Sequence, residues 1–566
     1  VLLAAVLSAA VPATAQAGDP IMPLSQVQAG MRCTGYSVIR GTEISAFDVD
    51  VIDVVDGAGA QILVKVSGPA VDETGIAEGF SGSPVKCTGA DGTARTIGAI
   101  AQGTGDYGNK VVLVTPIETL LGEPVDPPAS AKPLPAKMQR ALATPMSVTG
   151  VSGPVAAALK LAGKKTGRAL YAAPAAPRVA FGVQTLQPGS SVAVGLATGD
   201  ISAGAVGTVT YVDGDAVWAF GHPLDGAGRR SLLLQDAYVY TVINNPVDTE
   251  QLTSYKLAAP GHELGTLTND APAGVVGRIG VLPDRFPMRV TATDLDSGRV
   301  AHQNLEIADE TGVGQPTGSS SLTQIGPIAI AQAAYDILRG SPARQSGEMC
   351  VRIVLRERKA PLRFCNTYVG GSPSGAGAPL VADFAGAVGL LDSYNFGVLH
   401  VTRVDVNIKL RRALRQAYLL AADAPRKVRR GRELSVKVLA QHVRGARFTR
   451  TVKVHVPRGL SRGTHVLTLT GTPADAAAGD GDVQDLASTF TVTLGDEGDS
   501  SDDPGPPTLG ALAGAFAATQ RLDGVTASFR DPGDSAGDTA TSDIEVLRDP
   551  GLRISGAVSV RVNVRP

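Results

Sequence analysis

Aromatic side chains are scarce here: they make up 4% of the 566 residues, with a single Trp. Hydrophobic cores must therefore rest on Val, Leu, Ile and Ala. The stacked aromatic platforms of sugar-binding and single-stranded nucleic-acid modules have little to draw on. Charge is also sparse, at 18% Asp, Glu, Lys and Arg, and nearly balanced at −2. That excludes an overall affinity for nucleic acid or for an anionic membrane surface. Downstream of the N-terminal segment no run of about 18 apolar residues occurs, so the mature chain is expected to carry no membrane span. None of the four cysteines stands in the C-x-x-C form of a zinc or redox site, which leaves disulfides as their use. The glycine-rich stretch GGSPSGAGA (370–378) lacks the Lys of a phosphate-binding loop. No metal or other cofactor motif occurs, and none is expected.

Glycine (67) and proline (37) are both abundant. Their frequency suits several short-stranded β domains better than helical bundles. At about 150 residues per domain, three or four domains are expected. The first residues, VLLAAVLSAAVPATAQAGDP, run from an apolar stretch into Ala15-Gln16-Ala17, a small-x-small cleavage pattern. Residues 1–17 read as part of a secretory signal peptide, which makes the protein extracytoplasmic: secreted or held in the cell envelope. Four cysteines allow three pairings, and locality favours Cys33–Cys87 and Cys350–Cys365.

Residues 18–122 read as a small β unit. AFDVDVIDVV (46–55) alternates apolar and polar with period 2, and KVVLV (110–114) is continuously apolar like a buried strand. A Pro/Ala-rich linker (123–141) follows. A second unit (142–319) contains VGTVTYVDGDAVWAFGHPL (206–224), two strands around Asp213-Gly214 that read as a hairpin. Its returning strand delivers Gly221-His222-Pro223. Residues 320–345 read as a helical connector despite Pro327, and 346–420 as a β domain enclosing Cys350 and Cys365. Residues 421–495 have the alternation of an Ig-like sandwich. An acidic linker (496–506) precedes a C-terminal α/β segment (507–566). The basic stretch 403–462 reads as a strand face beside an acidic loop, because no nucleic-acid motif accompanies it.

The stretch EGFSGSPVKC (78–87) sets Ser81 between Gly79 and Gly82 and closes with Ser83-Pro84. A nucleophilic serine needs such a tight turn to present its Oγ, with backbone N–H groups nearby to hold an oxyanion. The N–H groups of Gly79 and Ser81 are the candidate oxyanion donors. Ser83, two residues on, is the fallback nucleophile, though its side chain is better suited to capping the turn. Of the seven histidines, His222 stands apart, between Gly221 and Pro223 at a strand end; His442, His455 and His465 read as surface residues of the sandwich. A Ser81–His222 pair would act by general-base catalysis.

Residues 30–121 resemble part of the SpoIVB peptidase domain, the S55 family of serine peptidases. The segments are GMRCTGYSVIRGTEISAFDVDVIDVV (30–55), ILVKVSGPA (62–70), GIAEGFSGSPV (75–85), IGAIAQG (97–103) and VTPIETLL (114–121). AGAVGTVTYVDGDAVWAFGHPL (203–224) and GTLTNDAPAGVVGRIG (265–280) resemble another part of the same family. The resemblance implies a mainly β protein: a chymotrypsin-like double β-barrel peptidase unit followed by small β domains. It implies Ser81 as nucleophile and His222 as general base. The order of the two halves is permuted, since here the serine segment precedes the histidine segment. The family's acidic position falls at Ser67-Gly68, so the third triad member is unassigned; Asp72 and Asp236 are the nearest carboxylate candidates. No PDZ-like segment precedes the unit. The function so implied is a secreted bacterial serine endopeptidase that cleaves itself or a few protein or peptide substrates, its C-terminal β domains engaging a cell-envelope partner. The alternative is an inactive peptidase-like scaffold or cell-surface binding protein.

Overall fold

Strict alternation organises the start of the chain in the computed structural model. In β2 (Glu43–Asp56), Phe47, Val49 and Val51 are buried while Asp48 and Asp50 between them are exposed, because successive side chains of a strand face opposite ways. The same holds for Ile62, Val64 and Val66 in β3 (Ala60–Ser67). With β1 (Arg32–Arg40), β4 (Pro84–Thr88), β5 (Ala94–Gly103) and β6 (Val111–Pro116) these strands close an antiparallel barrel in the order β1-β2-β3-β6-β5-β4. The inward residues, among them Phe47, Val64, Val85, Ile97 and Val112, form one hydrophobic cluster. Each such side chain, fully buried, contributes about 1.5–3 kcal/mol. Cys33 and Cys87 lie directly opposite each other on β1 and β4 and form a disulfide.

The structure describes residues 18–56, 59–104, 109–128, 145–166, 170–177, 181–245, 254–313, 319–339, 344–370, 377–471, 482–494, 505–518, 523–532, 544–549 and 551–566. The signal segment 1–17, linker residues 129–141 and acidic-linker residues 496–504 lie outside them. The chain forms two compact units. The first comprises Val1–Ser147, Ala173–Gly195 and Gly204–Pro283; the second comprises Val148–Ala172, Leu196–Ala203 and Asp284–Pro566.

After the short strands β7 (Met146–Thr149) and β8 (Leu170–Ala173), the strands that matter for the site are β9 (Ser191–Gly199), β10 (Ser202–Asp213), β11 (Ala216–Ala219), β12 (Gly228–Ile243), β13 (Tyr255–Ala271) and β14 (Gly274–Ile279). They pair in the order β9-β12-β13-β14-β11-β10, and β10 also pairs with β9, so the order returns on itself. The β10–β11 hairpin turns at Gly214, whose φ of +59° is open to glycine without steric cost.

In the second unit, strands Val300–Ala308, Arg285–Asp294, Val401–Arg411, Gln345–Leu355 and Leu362–Gly370 are successive neighbours in a sheet. Cys350 and Cys365 face each other there and form the second disulfide. Helix Ser321–Leu338 forms despite Pro327, capped by Ser320, whose hydroxyl accepts from the Thr323 amide. Helix Gly377–Asp392 interrupts the region read as purely β. Two further sheets, of four and five strands, share one hydrophobic cluster between Ala417 and Val564. Their strands come partly from Gly524–Arg530 and Ala557–Arg565, whereas Asp482–Leu494, expected inside a sandwich, is an α-helix that buries Leu486, Ala487, Phe490 and Leu494. His465 is 1% exposed and its Nε2 lies 2.9 Å from the Ser461 carbonyl oxygen, which corrects the surface reading of that histidine.

Candidate functional site

The segment from Glu78 to Ser83 leads into β4, and its backbone groups can be accounted for one by one. Glu78 donates its N–H to Ser254 O (2.7 Å), Phe80 to Ala77 O (3.0 Å), Gly82 to Ile100 O (2.7 Å) and Ser83 to Phe80 O (2.9 Å). Among the described residues, no acceptor takes the N–H of Gly79 or of Ser81. The Ser81 hydroxyl is buried and likewise has no hydrogen-bond partner. Three polar groups that flank one serine are thus left open in a turn whose other amides are satisfied. Gly79 (φ +91°) and Gly82 (φ +92°) supply the left-handed conformations that shape it.

The histidine turn lies against this one. A Cβ at Gly82 would stand 1.9 Å from Thr208 O and 2.4 Å from the Phe220 amide nitrogen, so only glycine lets the two backbones approach. Thr208 donates its N–H to Ser81 O (2.8 Å) and Thr210 its hydroxyl to Gly82 O (2.8 Å), which fastens β10 to the serine turn. Phe220, just after β11, is fully buried and held at φ +68°, a left-handed conformation unusual for a bulky residue. Gly221 follows at φ +69°, its carbonyl accepting from the Thr115 hydroxyl at 2.7 Å. The loop beyond is gathered by Asp270, a buried carboxylate that accepts from the amides of Leu224 (2.7 Å), Asp225 (2.8 Å) and Ala227 (3.0 Å). Burial, with the nearby Asp225 charge, raises the Asp270 pKa.

Between these anchors His222 sets its Nδ1 2.7 Å from the carbonyl oxygen of Pro223. A carbonyl can only accept, so Nδ1 carries the proton and Nε2 holds the lone pair. Burial pushes the imidazole pKa below its ordinary value, and the ring is neutral at pH 7. No hydrogen bond joins His222 to Ser81.

The two carboxylates considered for the third triad position lie elsewhere. Asp72 accepts from the Gly68 amide (3.1 Å) and pairs with Lys110 (3.6 Å). Asp236, fully buried, accepts from the amides of Gln184 (2.9 Å) and His262 (2.5 Å) and from His262 Nδ1 (3.0 Å). Neither bonds His222. Ser83 is fully buried and donates to Phe80 O at 2.6 Å, closing the turn on itself.

Sequence reasoning missed Lys256. It is 1% exposed, its Nζ lies 2.8 Å from Ser37 Oγ and 3.1 Å from Thr208 Oγ1, and it sits 4.7 Å over the Phe80 ring. Burial lowers its pKa to about 7. The only trace in the sequence is a lone Lys inside the strand-like run YKLAA (255–259), which reads as an exposed face. Asp270, within TNDAPAG, reads as an ordinary turn residue.

No family model, curated protein or solved structure matches this chain.

Proposed function

We propose that the protein is a serine endopeptidase of the SpoIVB type, with Ser81 as nucleophile and His222 as general base. The observation that carries this reading is the pair of open amides at Gly79 and Ser81 beside an unpartnered Ser81 Oγ. Two unsatisfied N–H donors, two positions apart on a serine turn, suit a tetrahedral oxyanion. The close approach of Gly82 to Phe220, two residues before His222, supports a common groove for base and nucleophile. A closed six-strand barrel carrying the serine turn, and a second ring of pairings carrying the histidine turn, favour the double-barrel architecture of chymotrypsin-type enzymes.

In the proposed cycle Nε2 of His222 takes the Ser81 proton as Oγ attacks a peptide carbonyl. The carbonyl oxygen becomes an oxyanion held by the Gly79 and Ser81 amides. The tetrahedral intermediate collapses with breakage of the C–N bond, and His222 delivers its proton to the departing amine. Water, deprotonated by the same nitrogen, then hydrolyses the acyl-serine. The Pro223 carbonyl takes the orienting place that a carboxylate holds in a triad, fixing the tautomer that leaves Nε2 basic. Because Ser81 Oγ is covered here, acylation starts with displacement of what covers it. The two disulfides favour an extracytoplasmic setting, where the substrate is a protein or the chain itself.

A second reading, a peptidase-like scaffold without turnover that binds a cell-envelope partner, is favoured by the missing Ser81–His222 hydrogen bond. Labelling with a serine-reactive fluorophosphonate separates the two. The peptidase reading expects stoichiometric labelling that Ser81→Ala abolishes; an unlabelled wild-type protein, or a labelled Ser81→Ala variant, overturns it.

A further inference from the structure

In a planar trans peptide the carbonyl of one residue and the N–H of the next point in opposite directions, so fixing the first aims the second. The Gly79 amide shares its peptide with the Glu78 carbonyl, and the Ser81 amide with the Phe80 carbonyl. Both carbonyls are taken. Glu78 O accepts from the backbone N–H of Lys256 at 2.9 Å. Phe80 O accepts from the hydroxyl of Ser83, whose Oγ is 3.0 Å from Ser37 Oγ, itself 2.8 Å from Lys256 Nζ. The intervening carbonyl, Gly79 O, accepts from Thr208 Oγ1 at 2.9 Å, and that oxygen lies 3.1 Å from the same Nζ. The aliphatic stem of Lys256 also walls the turn: a Cβ at Gly79 would stand 3.2 Å from its Cβ and Cδ.

We infer that Lys256 is a positioning residue for the oxyanion donors: its backbone N–H fixes the Glu78 carbonyl and its side chain fixes the Phe80 carbonyl through Ser37 and Ser83, which aims the Gly79 and Ser81 amides at the reacting oxygen, while Thr208, bonded to the same side chain, steadies the Gly79 carbonyl of the peptide between them. This rests on the proposal that Ser81 is the nucleophile. Burying an amine away from water is costly, and here it donates to hydroxyls of two separate strands, Ser37 in β1 and Thr208 in β10, the first of which is in turn 3.0 Å from Ser83 Oγ in the turn. An apolar side chain would fill this space more cheaply if packing were all that the position required. Its pKa of about 7 fits this environment, and both the ammonium and the free amine retain N–H groups for Ser37 and Thr208.

The test compares fluorophosphonate inactivation of wild type, Lys256→Met, Thr208→Val and Thr208→Ser, separating the rate constant of the chemical step (kinact) from reagent affinity (KI). Removing an oxyanion donor costs about 10²–10³ in the chemical step, so misaiming the pair should lower kinact by about tenfold or more. KI should stay within about twofold, because the reagent-binding surface is untouched, and Thr208→Ser should restore what Thr208→Val loses. Should Lys256→Met fail to fold, the Thr208 pair decides alone. Wild-type kinact in the folded Thr208→Val variant, or a loss confined to KI, overturns the inference while leaving Ser81 in place. A wild-type protein that does not label overturns the nucleophile assignment and this inference with it.

Discussion

Two imidazoles of the first unit hold their Nδ1 atoms against an oxygen, and they differ in which oxygen it is. His262 has a buried carboxylate, Asp236, at 3.0 Å and a tilted Phe181 ring 4.8 Å away. His222 has the Phe220 ring 6.2 Å away and, among the described residues, no carboxylate: its Nδ1 meets the carbonyl of its neighbour Pro223. A search for His–Asp pairs would select His262. Yet Asp236 also accepts the amides of Gln184 and His262, so it ties two stretches of chain together. The backbone of Phe220, by contrast, brings His222 to the edge of the serine turn. A carboxylate partner marks a histidine that is held in place. What it faces decides whether it can act.

The largest expected effect breaks the comparison outright. His222→Ala should lower the fluorophosphonate labelling rate by about 10³-fold or more, as loss of a catalytic base does, whereas His262→Ala should leave it within about twofold. The reverse result would transfer the base role to the Asp236 pair. Next come the two carboxylates. Asp270→Asn and Asp236→Asn each replace a buried carboxylate oxygen that accepts from backbone amides and should each cost about 1–3 kcal/mol in denaturant unfolding. Only Asp270→Asn should also slow labelling, by roughly tenfold, a factor equal to about 1.4 kcal/mol of barrier, because it loosens the loop after His222. Equal labelling by the two variants would sever Asp270 from the site.

The smallest effect concerns pH and stability. Lys256 has its folded pKa lowered to about 7, so between there and the ordinary lysine value the unfolded chain binds more protons than the folded one. Stability should therefore rise with pH from about 7 towards 10, and Lys256→Met should flatten that rise in melting temperature. His222, also lowered, works in the same direction at lower pH: its share of stability is present above the ordinary imidazole value and is lost as pH falls below it. A melting temperature independent of pH above 7 would show that the Lys256 amine is not buried in solution.

Local chemistry made part of this legible in the sequence. The alternation in 46–55 became β2, and the hairpin signal at Asp213-Gly214 delivered His222 to the end of β11 as read. Where local pattern and final state diverged, composition explains it. Residues 377–392 are rich in Gly and Ala with no Lys or Arg, and lack the polar face that announces an amphipathic helix. The STFTVTL end of helix Asp482–Leu494 alternates Thr with Phe, Val and Leu, which imitates a strand. At the site, Gly79, Ser81 and His222 could be singled out because turns declare themselves over a few residues. The supports could not. Lys256 and Thr208 reach the serine turn from β13 and β10, and nothing in their own neighbourhoods signals a long-range partner. The orienting oxygen on His222 is main chain, and no residue type encodes it.

The account turns on where a tetrahedral oxygen would sit. A crystal structure of the phosphonylated protein measures that directly. It should find phosphorus on Ser81 Oγ and a non-bridging oxygen about 2.7–3.1 Å from the amide nitrogens of both Gly79 and Ser81, with the His222 ring beside the adduct. Phosphorus on another residue, or an oxygen turned away from that amide pair, would contradict it.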